Sequence, residues 1–343
     1  EPPIASQESL PIVLTLDGEY MFYSLVGAME LLSTNDDMPP AIVVGVDQNY
    51  KVDNEERFYR WQDCDYVAKT GELTTNSLEF KQFLLSELIP FVKEKYNGGE
   101  YIAMAGHSFT GNFIFHFIHE PSITGFISCS PYIADASLSN LHSNISNLAL
   151  TKYLYLSTAS NDLRMHKAKL LTEDSTLFHP LKSPLFKYQF DLFENESHMT
   201  LTYPSALNGL RFLFQDYCPL YKLDYSETEH IENYLEYLRS RYANIQNVYK
   251  INLPYRDEDL SELVWVAVEK EKWDQVKDLA ELQIQTYPSM YSGYYSLGSY
   301  FEGIKDYEKA LFNYEKGYGL LGPEVSNKVD FYEDILRIKK LME

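Results

Sequence analysis

Over the first two hundred residues, apolar side chains form short unbroken runs that alternate with segments of helical spacing. A continuous run of Leu, Ile and Val is typical of a strand buried on both faces of a parallel sheet. Apolar residues at intervals of three and four are typical of a helix with one buried face. The predicted strands cover residues 10–17, 41–46, 101–105, 125–130, 152–157 and 187–193, and the predicted helices residues 21–32, 77–95, 112–119 and 205–214. This alternation predicts an α/β fold, a three-layer sandwich with helices on both faces of a parallel sheet.

Residues 48–75 follow neither period and are polar, charged and aromatic. We interpret them as a long surface loop, and such loops are often functional in compact domains. Tyr59, Trp61 and Tyr66 lie in this segment. Their rings either line a ligand pocket or pack within the fold, and the sequence does not decide between these roles.

From about residue 222 onward, helical patterns continue without any strand signal. A helix is predicted over residues 227–242, a break follows at 253–254, and two helical hairpins and a last helix over 325–341 complete the chain. We therefore predict two domains, an α/β domain over residues 1–221 and an all-α domain over residues 222–343.

The second helical hairpin has the spacing of a tetratricopeptide repeat, in which small residues let two helices approach closely. The matching positions are Tyr294, Leu297, Gly298, Phe301, Ala310, Tyr314 and Gly317. The hairpin before it, over residues 260–288, fits more weakly, through Val276, Ala280 and Pro288. The pattern predicts about two repeats with a capping helix, and the alternative is a generic helical appendage.

Composition and charge exclude several classes of partner. The formal net charge is −21, whereas a nucleic-acid surface needs clustered Lys and Arg, and an anionic membrane surface would repel such a chain. No apolar run has membrane-spanning length. The three cysteines, Cys64, Cys129 and Cys218, fit neither a disulfide framework nor a metal spacing. Because Glu1-Pro2-Pro3 does not resemble a natural N-terminus, we expect that a leader was removed or left out. The sequence therefore does not determine the cellular compartment.

The sequence Gly106-His107-Ser108-Phe109-Thr110-Gly111 joins a predicted strand to a predicted helix. Gly-x-Ser-x-Gly in that setting predicts a nucleophile elbow, a sharp turn that presents the serine in a strained backbone conformation. A Cβ at position 106 or 111 would crowd the strand and helix that meet there. Ser108 is therefore the candidate nucleophile.

A serine hydroxyl needs a base within hydrogen-bond reach and a group that orients the base. His198 follows the last predicted strand, where a loop residue can reach the elbow, and is the candidate base. His107 is expected to pack or cap locally, and His116 and His119 lie on the helix behind the elbow. Asp162, beyond the strand 152–157, is the candidate acid. Glu196 and Glu173 are alternatives, as is a Ser–His pair without any carboxylate.

An oxyanion hole needs two backbone donors. The N–H of Phe109, directly after the nucleophile, is one candidate. The N–H of Glu19, in the loop after the first strand, is the other, and we expect Gly18 to allow a tight turn there.

Leu16-Asp17-Gly18, the elbow, Ser130-Pro131 and Glu196-Ser197-His198 together resemble the putative esterase family of α/β-hydrolases. That family includes esterase D, enterochelin esterases, feruloyl esterases and antigen 85 acyltransferases. The resemblance covers about residues 10–217. It implies that the N–H of Glu19 is an oxyanion donor, that Ser108 is the nucleophile and that His198 is the base. Two points differ from the family pattern. Two further strands usually precede the Asp-Gly strand, whereas about nine residues precede it here, so either the chain is trimmed or that sheet edge is missing. The acid position is also not cleanly matched, because related siderophore esterases can use a Ser–His pair.

The resemblance implies a serine hydrolase that cleaves carboxylic esters through an acyl-serine, either siderophore-esterase-like or a general carboxylesterase. It needs no metal and no organic cofactor. The expected partner is a small-molecule ester, and the helical repeats can bind a protein, self-associate or shape access to Ser108. Two alternatives are an acyltransferase on the same fold and an interaction scaffold with a vestigial hydrolase domain.

Overall fold

The computed structural model describes residues 9–47, 51–52, 55–166, 184–223, 228, 230–322 and 328–343. The chain divides into two compact units. The α/β unit comprises residues 1–217 with 247–251, and the helical unit comprises residues 218–246 with 252–343.

A six-stranded sheet forms the centre of the α/β unit. In chain order its strands are β1 (Leu10–Leu16), β2 (Ile42–Val46), β5 (Gly98–His107), β6 (Ile123–Cys129), β7 (Lys152–Asn161) and β8 (Phe186–Ser197). Their order across the sheet is β2-β1-β5-β6-β7-β8, and every pair is parallel. All six carboxyl ends therefore lie at one edge, where an open α/β sheet binds its ligands.

Helices cover both faces of this sheet. They are α1 (Gly18–Thr34), α3 (Thr75–Phe83), α4 (Ile89–Tyr96), α5 (Phe109–Phe113), α6 (Asp135–Ser146) and α7 (Thr202–Leu213). On one face α1 packs against α7, and α7 packs on β6 and β7. On the other face, Ile12 and Leu14 of β1 share a buried cluster with Val92 of α4 and Leu141 of α6. The predicted α/β fold class with helices on both faces is confirmed.

The segment over residues 48–75 is not a surface loop throughout, which corrects the sequence interpretation. It contains β3 (Lys51–Val52) paired antiparallel with β4 (Glu55–Phe58), then α2 (Tyr59–Asp63). Cys64 is fully buried and Tyr66 is 9% exposed. Single side chains enter the core from this segment, so its sequence shows no period.

Two predicted helices have different boundaries. Residues 77–95 form α3 and α4 with a π-helical turn, Leu84–Leu88, between them. Pro90 in α4 cannot donate to the carbonyl four residues earlier, and the wider turn before it accommodates that loss. The helix after the elbow begins at Phe109 rather than at 112 and continues as a 3₁₀ turn, Ile114–Phe117.

Helices that pack on their neighbours in chain order build the helical unit. They are α8 (Tyr234–Tyr249), whose last turn belongs to the α/β unit, then α9 (Asp257–Glu269), α10 (Trp273–Thr286), α11 (Ser292–Gly303), α12 (Tyr307–Leu320) and α13 (Lys328–Met342). Of the helix predicted over 227–242, residues 227 and 229 lie outside the described residues; α8 begins at Tyr234, where Asn233 accepts from the N–H of Glu236, and it continues beyond 242 to Tyr249. Within the described ranges, no helix is both long and apolar enough to cross a membrane.

The two hairpins α9–α10 and α11–α12 repeat one geometry. α10 and α12 both have 14 residues, and residue 307 stands 34 positions after residue 273. In both hairpins the turn closes with the same backbone hydrogen bond at 2.9 Å, from Lys272 N–H to Ala267 O and from Asp306 N–H to Phe301 O. A Cβ at Gly298 would stand 2.5 Å from Cδ1 of Tyr314, so α11 and α12 approach as closely as the small residue predicts.

Candidate active site

Ser108 stands at a strained turn between β5 and α5. Its backbone φ is 59° and ψ is −112°, a region that L residues rarely adopt. A Cβ at Gly106 would stand 2.7 Å from the carbonyl carbon of Thr110, so the turn requires glycine there. The N–H of Ser108 donates to Cys129 O at 2.8 Å, and its carbonyl accepts from the N–H of Tyr132 at 3.0 Å. The geometry is that of a nucleophile elbow.

Asp162 and His198 meet at the same edge of the sheet. Asp162 follows β7 and His198 follows β8, the neighbouring strand. The Nδ1–H of His198 donates to Oδ1 of Asp162 at 2.7 Å. A carboxylate only accepts, so this bond fixes the proton of a neutral His198 on Nδ1 and leaves Nε2 as an acceptor.

The carboxylate of Asp162 is held ionised. Burial by itself would raise the pKa of Asp162, but the hydrogen bonds that it accepts, that from His198 foremost, hold the pKa well below its usual range. Thr158 Oγ1 donates to Oδ2 at 2.9 Å and the N–H of Leu163 donates to Oδ1 at 2.6 Å. The group behind the imidazole is therefore a fixed negative charge.

Ser108 and His198 are close but not joined. The rings of His107 and His198 have centroids 4.4 Å apart, so the imidazole of His198 lies against the residue before Ser108. Within the residues that the structure describes, no hydrogen bond joins Ser108 Oγ to His198, and Nε2 of His198 makes none.

The other candidates from the sequence lie elsewhere. Glu196 is part of β8 and, as far as the chain is described, makes no hydrogen bond to His198, while Glu173 lies outside the described residues. His116 and His119 lie on and just after the 3₁₀ turn behind the elbow.

The two candidate oxyanion donors lie at the start of helices that follow neighbouring strands. Phe109 is the first residue of α5, after β5, and Glu19 is the second residue of α1, after β1. N–H groups in a first helical turn have no acceptor within the helix and point outward. The structure therefore places both donors at the edge where Ser108 lies.

The turn before Glu19 differs from the expectation for Gly18. Asp17, not Gly18, has the left-handed backbone, with φ 58° and ψ 45°. Gly18 is required for packing, because a Cβ there would stand 2.9 Å from the backbone of Gly45 in β2.

A buried ion pair supports this turn, and sequence reasoning missed it. Arg60 of α2 pairs with Asp17 through both carboxylate oxygens and donates to His107 O at 2.8 Å. Thr110 Oγ1 donates to Oδ2 of Asp17 at 2.6 Å. No local pattern marks Arg60, which lies in the segment without a period; Asp17 was visible only as part of the family resemblance.

Ser130 is a second residue whose role sequence reasoning missed, although Ser130-Pro131 was part of the resemblance. It is fully buried with a φ of 42°. Its Oγ lies 3.1 Å from Nδ1 of His198 and 3.3 Å from Nδ1 of His166. His166 donates from Nδ1 to Ser130 O at 2.9 Å, and burial lowers the pKa of His166. Ser130 thus stands where Asp162 and His198 meet.

A cleft of about 390 Å³ adjoins this cluster. Tyr132 and His166 line it on the side of the cluster, and the remaining lining residues are Ala68, Pro131, Ile133, Ala134, Asp135 and Met165. Of the loop aromatics, Tyr66 packs on Phe109 with centroids 6.0 Å apart, whereas Tyr59 and Trp61 are 40% and 59% exposed. Tyr66 is therefore a packing residue beside the elbow. Within the described ranges, no group of His, Cys, Asp and Glu is placed to hold a metal ion.

Comparison with known proteins gives a family and a fold. A sequence model of the putative esterase family matches residues 2–177, just over half of the chain. No curated protein sequence matches. An uncharacterised protein from Capnocytophaga ochracea is similar in structure at a TM-score of 0.73 and 19% identity, over 99% of this chain and 94% of that one.

Two hydrolases are also similar in structure. An IroE-like serine hydrolase from Shewanella oneidensis has a TM-score of 0.57 at 17% identity, over 81% of this chain and 90% of that one. The siderophore hydrolase EstB from Aspergillus nidulans has a TM-score of 0.50 at 18% identity, over 61% and 83%. At such identities the likeness is one of fold.

Proposed function

Because the chain belongs to the putative esterase family, we propose that it is a serine hydrolase that cleaves carboxylic esters, with Ser108 as nucleophile, His198 as base and Asp162 as acid. One observation carries the proposal. The Asp162–His198 hydrogen bond of 2.7 Å lies at the sheet edge that also presents Ser108 on its strained turn. An orienting carboxylate, an imidazole and an accessible serine hydroxyl are the three parts that acyl transfer by serine requires.

The reaction follows from these roles. Ser108 Oγ attacks the ester carbonyl while Nε2 of His198 accepts the hydroxyl proton, and Asp162 stabilises the imidazolium. The N–H groups of Glu19 and Phe109 stabilise the oxyanion. His198 then donates the proton to the leaving alcohol, and an acyl-serine remains. Water, deprotonated by His198, attacks the acyl carbon; the bond to Ser108 Oγ breaks, His198 returns the proton to Oγ, and the carboxylic acid leaves.

The proposal requires contact between Ser108 Oγ and Nε2 of His198. Catalytic hydrogen bonds are often long or poorly aligned without substrate and tighten in the complex. We therefore expect this bond to form when an ester fills the space beside His107 and His198.

The substrate class is a small to medium ester, of the siderophore type or a general carboxylic ester. The fold likeness to an IroE-like serine hydrolase and to a siderophore hydrolase supports the first. No residue of the mechanism needs a cofactor.

For the helical unit we propose two tetratricopeptide repeats capped by α13, with a role in binding a protein or in self-association. The 34-residue offset between α10 and α12, and the repeated turn hydrogen bond, are the supporting observations.

The decisive experiment compares wild-type protein with Ser108→Ala on p-nitrophenyl acetate and butyrate, and with a fluorophosphonate probe. We expect the wild type to turn over ester and to be labelled at Ser108, and the variant to lose about 10³-fold or more of kcat together with all labelling. Ser139→Ala, an exposed serine on α6, is the matched control and should behave as wild type.

Alcohol acceptors in the same assay separate hydrolysis from acyl transfer, since transfer would give a new ester. A wild-type protein that neither hydrolyses any short or aromatic ester nor reacts with the probe would refute the enzyme and favour an interaction scaffold.

A further inference from the structure

The imidazole of His107 connects three parts of the site. Tyr20, beside Glu19 on α1, has its hydroxyl 2.8 Å from Nδ1 of His107. On the other side of the ring, Nε2 lies 2.7 Å from the main-chain carbonyl oxygen of His198. His107 itself precedes Ser108 in the elbow. This is more than the local packing or capping expected from the sequence.

Hydrogen-bond chemistry fixes the direction of both contacts. A carbonyl oxygen can only accept, so Nε2 of His107 carries a proton and donates to His198 O. Burial above all, and the nearby positive charge of Arg60, lower the pKa of His107 to about 3, so the ring is neutral. Nδ1 of a neutral ring with its proton on Nε2 must accept, and the Tyr20 hydroxyl is its donor.

The turn that carries His198 follows directly on β8 and is held mainly by local hydrogen bonds. Ser197 and Thr200 bond to each other within the loop, and Met199 is 50% exposed. The side chain of His198 contacts Asp162 and Ser130. Turn hydrogen bonds from the N–H of Leu201 to Ser197 O and from the N–H of Thr202 to Met199 O hold the main chain on either side of position 198. The bond from His107 is the main-chain attachment that the described residues provide at position 198.

We propose that His107 is a positioning residue that sets where the imidazole of His198 stands relative to Ser108, with Tyr20 fixing the ring that does so. The inference rests on the proposed function, because it assigns a role within that catalytic site. Because Tyr20 follows Glu19, the same bridge ties the oxyanion side to the base side. A displacement of about 1 Å in a catalytic group can cost about 100-fold in rate, so the bridge has a measurable consequence.

The test compares three variants, each with its control. His107→Leu removes both hydrogen bonds, and we expect kcat for p-nitrophenyl butyrate to fall about 100-fold with KM within about threefold, because base position and not ester binding changes. His107→Gln keeps a donor and an acceptor and should recover about tenfold of that loss. Tyr20→Phe should lower kcat about threefold to tenfold.

Tyr23→Phe, on the same helix and 72% exposed, and His116→Gln, a partly buried histidine outside the site, should leave kcat unchanged. The rate of fluorophosphonate labelling of Ser108 should fall in parallel with kcat in each variant. Equal kcat in wild type and His107→Gln, His107→Leu and Tyr20→Phe would overturn the inference, as would a loss that appears only in KM.

A measurement that does not depend on activity tests the inference even if a variant fails to fold. In the wild type, ¹⁵N-histidine NMR should show His107 with its proton on Nε2 and unprotonated from pH 8 to 5. A proton on Nδ1, or a charged ring in that range, overturns the inference while esterase activity stands. A wild type without activity or labelling refutes the proposed function, and the positioning role falls with it.

Discussion

A positive φ ends helices in both units, at the exposed Asp36 and Asn97 of the α/β unit as in the helical unit, but after three strands of the α/β unit it serves another purpose. In the α/β unit, Asp17, Ser108 and Ser130 have a positive φ directly after β1, β5 and β6, three adjacent strands, and Asp17 and Ser130 are fully buried. In the helical unit, Glu271 and Lys305 have a positive φ in the turns after α9 and α11, and both are exposed. Strain with a buried polar side chain marks a position whose side chain is needed; the same conformation on the surface only ends a helix.

The largest expected effect concerns the strained edge of the α/β unit. Asp162→Asn keeps the shape of the acid but can donate to Nδ1 of His198, which moves the proton to Nε2 and removes the acceptor for Ser108. We expect kcat to fall by about 10³- to 10⁴-fold with KM little changed. Steady-state kinetics measure this. A variant within tenfold of wild type would support a Ser–His pair instead.

Acid should destabilise the α/β unit more than the helical unit. With a folded pKa of about 3, His107 stays unprotonated while the unfolded chain binds a proton below about 6.5, so stability falls as pH falls through that range. At pH 4 this costs about 3 kcal/mol from His107 alone. His116, with a pKa of about 4, acts in the same direction.

The only histidine of the helical unit's sequence, His230, is exposed. Hydrogen exchange followed by mass spectrometry at pH 7 and pH 4.5, corrected for intrinsic rates, reports each unit separately. Equal loss of protection in both units would contradict the assignment of the acid sensitivity to buried histidines.

Two glycine substitutions in the helical unit test helix packing without changing the candidate active site. Gly298→Ala puts a methyl group into the ring of Tyr314, and we expect a loss of about 1–3 kcal/mol in the free energy of unfolding. Gly319→Ala, on α12 with open space around it, should instead gain up to about 1 kcal/mol from helix propensity. Urea unfolding measures both, and ester hydrolysis should be unchanged in both.

The smallest expected effect comes from comparing an exposed residue with a positive φ and a buried one. Lys305→Gly relieves backbone strain in an exposed turn, so the free energy of unfolding should rise by about 0.5–1 kcal/mol without a change in activity. Ser130→Gly relieves similar strain but removes the hydroxyl beside Asp162 and His198, so activity should fall. Urea unfolding and kcat on the same preparations give both quantities; a Ser130→Gly variant with full activity would show its strain to be incidental.

Continuous apolar runs predicted the sheet because strands buried on both faces permit few other residues. The elbow was predictable because its glycines and serine are adjacent in sequence. Asp162 could be named only as one of several carboxylates, since its choice depends on which loop end reaches His198. Once the structure places β7 beside β8, Asp162 and His198 meet.

Other contacts could not be predicted because they join distant positions through single side chains. Arg60 reaches Asp17 across 43 positions, and His107 reaches the carbonyl of His198 across 91. Neither contact leaves a periodic pattern or a local motif. The sequence also did not reveal the left-handed backbone of Asp17, because the neighbouring Gly18 was the expected site of the turn. Gly18 is needed instead for its close packing against Gly45.

The ion pair between Arg60 and Asp17 makes the elbow and the segment around α2 one cooperative folding element. The carboxylate of Asp17 has no exposure, so withdrawal of Arg60 would leave a buried charge without a counter-ion, at a cost of about 3–5 kcal/mol. A short helix in a region without regular sequence would ordinarily fray by itself. Here α2 can detach only when the turn beneath Ser108 also opens, so the segment should resist proteolytic nicking as long as the nucleophile turn is intact.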